Sequence, residues 1–170
     1  LTLLVGTPAI AFIGAVGDDE RGRAFKQLLD DEGISTKYIF TKKQPTGSAT
    51  IMLENDGHNT IMVYGGANMA LSVADIQQAK EAIAEADVVV ALMHEDAQQY
   101  AEGFNNNVDI LFGGDSHVRS SGEVAREGAL PLYWAQGHEY GKVLQDADIK
   151  FNKDTNEIES IEINQWDRSM

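Results

Sequence analysis

The sequence predicts an α/β fold: a layered sheet with central parallel strands, a small β-hairpin lid and antiparallel C-terminal strands. Three observations predict it. Buried-strand patterns alternate with helical periodicity up to about residue 113. Two segments in which apolar and polar residues alternate flank a tight-turn signal. Beyond residue 113 the pattern contains only strand-like segments. No linker or repeat interrupts this pattern, so residues 1–170 are predicted to form a single α/β domain.

The N-terminal part predicts a strand, a helix and a second strand. Ala9–Val16 has the continuous apolar pattern of a buried strand, and the acidic residues 18–20 favour a helix start directly after it. Apolar residues then recur at helical spacing until Gly33, a residue type that commonly ends helices. Residues 36–41 are predicted to form the second strand.

A β-hairpin follows. Ser48–Glu54 and Thr60–Tyr64 alternate in the manner of strands, and Asn55-Asp56-Gly57 between them is a hairpin-turn signal. The pattern therefore predicts two antiparallel strands joined by a short turn.

The next segments predict a parallel strand pair. Ser72 suits the N-cap of a helix. Val88–Leu92 is a continuous apolar run typical of a central parallel strand, and Val108–Phe112 is a second such run. A helix-length segment over residues 97–104 joins the two runs, so we expect them to be neighbours at the centre of one sheet. Beyond them, strands are predicted over residues 130–135, 143–151 and 158–163.

Composition restricts the classes of function. Apolar residues make up 43% of the chain and charged residues 24%, as in ordinary globular proteins. The formal net charge of −14 argues against nucleic acids and membranes as partners. No apolar run approaches the roughly 18–20 residues of a membrane span. The apolar start lacks a preceding basic segment and is interrupted by Pro8 and Gly14, so no signal peptide is predicted and we expect a soluble protein.

Six short motifs follow one another between residues 12 and 89. They are Phe12–Asp19 with Gly22, Gly33–Thr36, Pro45–Ala49, Gly57–Ile61, Gly65–Asn68 and Ala86–Val89. In this order and spacing they resemble the ribokinase-like sugar kinases, over about residues 9–92. The resemblance implies a central α/β sheet and a β lid over a sugar, with the hairpin as part of that lid.

Two candidate substrate-binding residues accompany this resemblance, Glu95 and Asn68. Glu95 falls where such kinases often carry an acidic sugar contact, although it also suits a solvated helix N-terminus. Asn68 closes a Gly-Gly-Ala-Asn segment that also fits a simple turn. The family's early glycine-rich segment and its late Gly-Ala-Gly-Asp segment do not occur in the sequence. The second of these supplies backbone amides and the catalytic base for phosphoryl transfer, so no catalytic residue is predicted.

A second series of motifs begins at the same apolar strand. It consists of Val89–His94, Val108–His117, Ala135–Lys142 and Asp148–Thr155. These residues resemble the C-terminal part of the metallophosphoesterase domain in 5′-nucleotidases and cyclic-nucleotide phosphodiesterases, over about residues 87–163. The resemblance implies His94 and His117 as metal ligands, with Asp115 in place of a histidine. Because that family's N-terminal half is missing, at most one divalent ion is expected, with Mn²⁺, Ni²⁺ or Zn²⁺ the best matched.

The two resemblances together predict a chimeric or recombined protein. Residues 1–92 would be its ribokinase-like segment and residues 93–170 its metallophosphoesterase-like segment, with both sites incomplete and no efficient catalysis. Two alternatives remain open: a weak metal-dependent phosphoesterase, and a non-catalytic module that binds a sugar or nucleoside. The expected partner is a small-molecule sugar or nucleotide. His94, Asp115 and His117 alternatively are polar residues at the rim of a sheet.

Overall fold

A computed structural model describes residues 10–139, 142–155 and 157–167 of the chain. The chain divides into two compact units, Leu1–Glu81 and Ala82–Met170. The boundary therefore lies before the apolar strand at which the two resemblances meet. The organisation as a single domain stays a prediction.

The first unit begins with a parallel strand pair joined by a helix. β1 (Ala11–Gly17) pairs with β2 (Ser35–Lys42), and α1 (Glu20–Asp31) connects them. Asp19 is the N-cap of α1, and Gly33, at a φ of 74°, follows the end of the helix. The strand, helix and strand predicted from the apolar pattern are thereby confirmed for the described residues, whereas Ala9, the predicted start of the first strand, lies outside them.

The predicted hairpin is also confirmed. β3 (Ser48–Leu53) pairs antiparallel with β4 (Asn59–Tyr64), and Leu53 lies opposite Asn59. At the turn, the Gly57 N–H donates to the Glu54 carbonyl oxygen at 3.0 Å, and Gly57 adopts a φ of 91°. Every hairpin-strand residue except Ser48 is exposed, although most of these side chains are apolar.

Two short helices take the place of the single helix predicted after Ser72. A 3-10 turn (Gly66–Ala70) precedes α2 (Val73–Gln78), and α3 (Lys80–Glu85) follows after one residue. Ser72 caps α2 as predicted, because its hydroxyl accepts a hydrogen bond from the Asp75 N–H while the Asp75 carboxylate accepts one from the Ser72 N–H.

Asp75 also forms the best-shielded ion pair among the described residues. The Lys42 Nζ lies 2.6 Å from both carboxylate oxygens, and the two side chains are 18% and 9% exposed. Hydrogen bonds from Lys42, and then from Ser72, lower the pKa of Asp75 from 3.8 to about 2. The pair thus fastens the end of β2 to the start of α2.

We expect Asp75→Asn to destabilise the protein at neutral pH and to reduce its acid sensitivity. Since the pKa is lowered in the folded state, the pair stabilises the protein above about pH 4, and that contribution is lost as the pH falls toward 2. Urea unfolding at neutral pH and at about pH 3 measures the difference in the free energy of unfolding. Arg23→Ala, which removes the exposed Arg23–Asp18 pair, is the control and should change little. Identical pH profiles for the parent and Asp75→Asn would contradict this role.

The second unit contains a four-stranded sheet in the order β5-β6-β8-β7. The first three neighbours run parallel, and the last pair is antiparallel. The strands are β5 (Val90–Leu92), β6 (Ile110–Gly113), β7 (Ser120–Val124) and β8 (Leu132–Gln136). The core of this unit combines Ala97, Ala101, Leu111, Leu132 and Trp134.

The predicted parallel neighbours are confirmed, because Val90 lies opposite Ile110 and Leu92 opposite Phe112. Their expected position at the centre holds only for β6. Within the described residues β5 is the edge of the sheet, and Leu92 is 69% exposed. The helical segment predicted over residues 97–104 is present as α4 (Ala97–Tyr100) followed by a 3-10 turn, Ala101–Gly103.

The strands predicted over residues 143–151 and 158–163 are confirmed as an antiparallel pair, whereas the strand predicted over residues 130–135 is β8, which is parallel to β6 and antiparallel to β7. β9 (Val143–Phe151) and β10 (Ile158–Asp167) form a long two-stranded ribbon. β7 was not predicted, because its sequence Ser-Ser-Gly-Glu-Val lacks apolar alternation. Gly122 within it lies against the Trp134 ring, where a Cβ would come within 2.7 Å of Cζ2. In the described part of the chain no helix is both long and apolar enough to cross a membrane.

Candidate functional site

The base of the hairpin in the first unit is held by one aspartate. The Asp19 carboxylate accepts hydrogen bonds from the Gly22 N–H at 2.8 Å, the Thr46 N–H at 2.7 Å and the Thr46 hydroxyl at 2.6 Å. The same hydroxyl accepts a hydrogen bond from the Gly17 N–H at 2.9 Å. Thr46 lies two residues before β3, so Asp19 connects the start of α1 to the entry of the hairpin.

Electrostatics favour a charged Asp19. Hydrogen bonds from the side chain and then the backbone of Thr46 lower the pKa of Asp19 to about 2, with a further contribution from the Gly22 amide. The carboxylate also lies at the N-terminus of α1, where the helix dipole favours negative charge. Asp19 is therefore ionised throughout the physiological pH range.

Glycines allow the backbone segments at this base to approach one another. A Cβ on Gly66 would overlap the Pro45 carbonyl oxygen, and Gly66 has a φ of 50°. A Cβ on Gly47 would lie 2.6 Å from the Asn68 side-chain nitrogen. The Ala67 N–H donates to the Pro45 carbonyl oxygen at 2.8 Å. The chain therefore enters and leaves the hairpin at one tightly packed point.

An open groove of about 320 Å³ lies beside this base. It is lined by charged, hydroxyl and aromatic side chains: Asp19, Glu20, Arg21, Pro45, Thr46, Ser48 and Tyr64. Sequence reasoning did not single out Asp19 or Thr46 as individual site residues, although both occur in the motifs quoted for the sugar kinases.

The two predicted substrate-binding residues lie in different units. Asn68 is exposed in the 3-10 turn at the hairpin base, with its side-chain amide against Gly47. Glu95 is exposed in the second unit, directly before Asp96, whose carboxylate caps α4 by accepting from the Gln99 N–H. The carbonyl oxygen of Glu95 accepts a hydrogen bond from the Gly114 N–H at 2.9 Å. Sugar binding by either residue stays a prediction.

The predicted metal ligands follow β5 and β6 in the second unit. His94 Nε2 lies 3.6 Å from Asp115 Oδ1, whereas His117 Nδ1 lies 3.2 Å from Glu139 Oε2. Asp115 and His117 have φ angles of 68° and 56°, so the segment is not extended. Glu139, which sequence reasoning missed as a partner, also accepts a hydrogen bond from Lys142 at 2.7 Å.

A buried glutamine at the end of β8 connects the start of α4 to the loop after β6. Gln136 is 1% exposed; its side chain accepts a hydrogen bond from the Ala97 N–H at 3.2 Å and donates one to the Ser116 hydroxyl. Among the described residues no group of three His, Asp or Glu side chains is arranged to hold a metal ion.

Binding of one divalent ion by His94, Asp115 and His117 stays a prediction with a direct test. If the three residues bind Ni²⁺ or Zn²⁺, His117→Ala should weaken the affinity by about tenfold or more in titration calorimetry. His58→Ala is the control, because His58 is an exposed histidine in the hairpin turn of the first unit. Equal affinities in the parent and His117→Ala would contradict the site.

The fold resembles that of known sugar kinases. A putative sugar kinase from Clostridium perfringens aligns with a TM-score of 0.51 over 62% of this chain and 42% of its own, at 11% identity, which shows a shared fold. The model of the pfkB family carbohydrate kinases matches residues 4–103, more than half of the sequence. The chain belongs to this family.

Two curated relatives resemble this chain in sequence. Over 81 residues the chain is 42% identical to the ribokinase of Staphylococcus aureus, covering 47% of this chain and 27% of that protein. Over 94 residues it is 36% identical to the bifunctional ribokinase/ribose-5-phosphate isomerase A of Fructilactobacillus sanfranciscensis, covering 55% of this chain and 17% of that protein. The chain thus spans about a quarter or less of the length of these relatives.

These matches overturn the chimera interpretation. The family match continues to residue 103, past the proposed junction at residue 92. It therefore includes His94, which had been assigned to a metallophosphoesterase segment. No comparison supports such a segment, and the relatives point to a carbohydrate kinase fragment rather than to a non-catalytic recombinant. The error arose because an apolar parallel strand with a polar residue at its end is common to many α/β folds.

Proposed function

We propose that this chain is part of a kinase that transfers a phosphoryl group to a pentose, with ribose as the first candidate, and that the first unit helps to bind the sugar. The family supports the reaction class, and the names of the two curated relatives support the sugar. ATP is the proposed phosphate donor.

The observation that carries the proposal is the exposed, apolar hairpin on a fixed base. Ala49 lies opposite Val63, and Ile51 opposite Ile61, and these four residues are all exposed. Two strands alone are marginally stable in water. An exposed apolar surface of this kind is therefore suited to covering a bound ligand. Closing it over a sugar would exclude water from the reacting hydroxyl, and exclusion of water limits hydrolysis of the donor during phosphoryl transfer.

Asn68 and Glu95 each carry a group that can form a hydrogen bond with a sugar hydroxyl. An amide side chain both donates and accepts hydrogen bonds, whereas a carboxylate only accepts them. In the proposal Asn68 binds a sugar hydroxyl at the base of the hairpin, whereas Glu95, in the second unit, stays a separate candidate for a sugar contact. Both side chains are exposed in the structure, as groups that meet a soluble ligand must be.

Thermal unfolding with and without ribose tests this function. Ribose at about 100 times its dissociation constant should stabilise the folded state by about 2.7 kcal/mol. Asn68→Ala should reduce the stabilisation, whereas Asn55→Ala at the exposed hairpin tip should not. Glycerol at the same concentration controls for unspecific polyol effects. A ribose effect no larger than that of glycerol would contradict the proposal.

A further inference from the structure

We infer that Asp19 and Thr46 are positioning residues that set the orientation of the whole hairpin relative to β1 and α1. We call this contact the Asp19–Thr46 latch. Its effect on sugar affinity rests on the proposed function, whereas its effect on hairpin orientation does not.

The hydrogen bonds concentrate on one residue of the hairpin entry. The Thr46 N–H and hydroxyl proton both go to Asp19, and the hydroxyl oxygen accepts from the Gly17 N–H. Asp19 in turn caps α1 through the Gly22 N–H. The end of β1, the start of α1 and the hairpin entry therefore meet at two side chains.

Steric contacts reinforce this point of attachment. Gly17 lies so close to Thr46 that a Cβ would overlap the Thr46 nitrogen, and a Cβ on Gly22 would overlap the Gly17 carbonyl oxygen. The exit of the hairpin is held to the same place by the Ala67 N–H and the Pro45 carbonyl oxygen. Beyond it, β3 and β4 pair with each other and expose their side chains.

A hairpin that is held only at its base can rotate about that base. Hinge motions of this kind are absorbed by a few residues at the ends of elements. The fixed direction of the hairpin in this structure is thus determined by the residues at its base. Removing the Thr46 hydroxyl leaves the Gly17 N–H without this partner and removes one of the three hydrogen bonds to Asp19. We expect the hairpin then to sample a wider range of orientations.

The test measures orientation directly in the absence of any ligand. The sequence has no cysteine, so Ala24→Cys on α1 and Asn55→Cys at the hairpin tip give two unique spin-label sites, both exposed. Pulsed electron resonance then reports the distribution of distances between them. Thr46→Val should broaden this distribution, and Thr46→Ser, which keeps the hydroxyl, should restore that of the parent.

Two further variants separate the latch from general stability. Asp19→Asn retains a good N-cap for α1 but cannot accept from Thr46 in the same way, so it should broaden the distribution. Thr36→Val removes a comparable hydroxyl, which donates to Asp30 at 2.7 Å in the same unit, and should leave the distribution unchanged. Parent-like distributions in both Thr46→Val and Asp19→Asn, with cooperative thermal unfolding retained, would overturn the inference. Should Thr46→Val fail to fold, Asp19→Asn decides, because a parent-like distribution in Asp19→Asn would then overturn the inference.

Sugar binding provides the second measurement. With the latch removed, ribose affinity should fall by about tenfold, because binding must then also order the hairpin. A broadened distribution in a protein whose parent does not bind ribose would support the latch and contradict only the proposed function. Unchanged ribose affinity in Thr46→Val, with binding intact in the parent, would count against any role of the latch in positioning for the sugar.

Discussion

Leu111→Asp is expected to unfold the second unit. Leu111 is fully buried in the central strand β6 and packs with Leu132 and Trp134. Replacing it removes a core side chain and places an unpaired carboxylate among apolar groups, which together cost about 4 kcal/mol or more. Differential scanning calorimetry should therefore show loss of the cooperative transition of this unit, and circular dichroism should show loss of strand signal.

A matched substitution distinguishes burial from a general effect of added charge. Leu144 lies in β9 of the same unit and is 68% exposed. Leu144→Asp introduces the same group at a strand position in contact with water, so its unfolding transition should stay close to that of the parent. A cooperative transition in Leu111→Asp similar to that in Leu144→Asp would show that β6 is not the centre of the core.

Much of the fold could be predicted because local patterns and tertiary packing agree. The Asn-Asp-Gly turn specified the hairpin, and the apolar runs around Val90 and Ile110 specified two parallel neighbours. β7 was missed because its sequence lacks apolar alternation, whereas in the structure Gly122 meets the Trp134 ring, a contact between residues twelve positions apart in the sequence. β5 was expected at the centre of the sheet, although it is an edge strand among the described residues, because an apolar run does not show which strand lies at an edge.

The candidate site was harder to predict for a related reason. The motifs identified the segments around Asp19, Thr46 and Asn68, but a motif does not show which side chains meet. Thr46 meets Asp19, and Asn68 lies against Gly47, at a place where glycines let backbone segments distant in sequence approach one another, and such contacts have no periodic signal. In the second unit, His117 lies beside Glu139, and residues 115 and 117 have positive φ angles, a conformation that L-residues rarely adopt and that sequence spacing does not predict.

Gly66→Ala is expected to have the second large effect, through the base of the hairpin. An added methyl group would overlap the Pro45 carbonyl oxygen and lie 3.0 Å from the Tyr64 ring, while the positive φ adds strain for any L-residue. Strain and overlap together should reduce the stability of the first unit by about 3 kcal/mol. Urea unfolding followed by circular dichroism measures the loss.

Gly33→Ala separates the two contributions to that loss. Gly33 has a φ of 74°, yet nothing lies within 4 Å of the position that its Cβ would occupy. This substitution should therefore cost only the conformational strain, about 1–2 kcal/mol. The difference between the two variants in the free energy of unfolding measures the steric contribution of the close contacts at the hairpin base. If Gly66→Ala cost no more than Gly33→Ala, the base would be loose enough to admit a methyl group, and steric contact would not help to fix the direction of the hairpin.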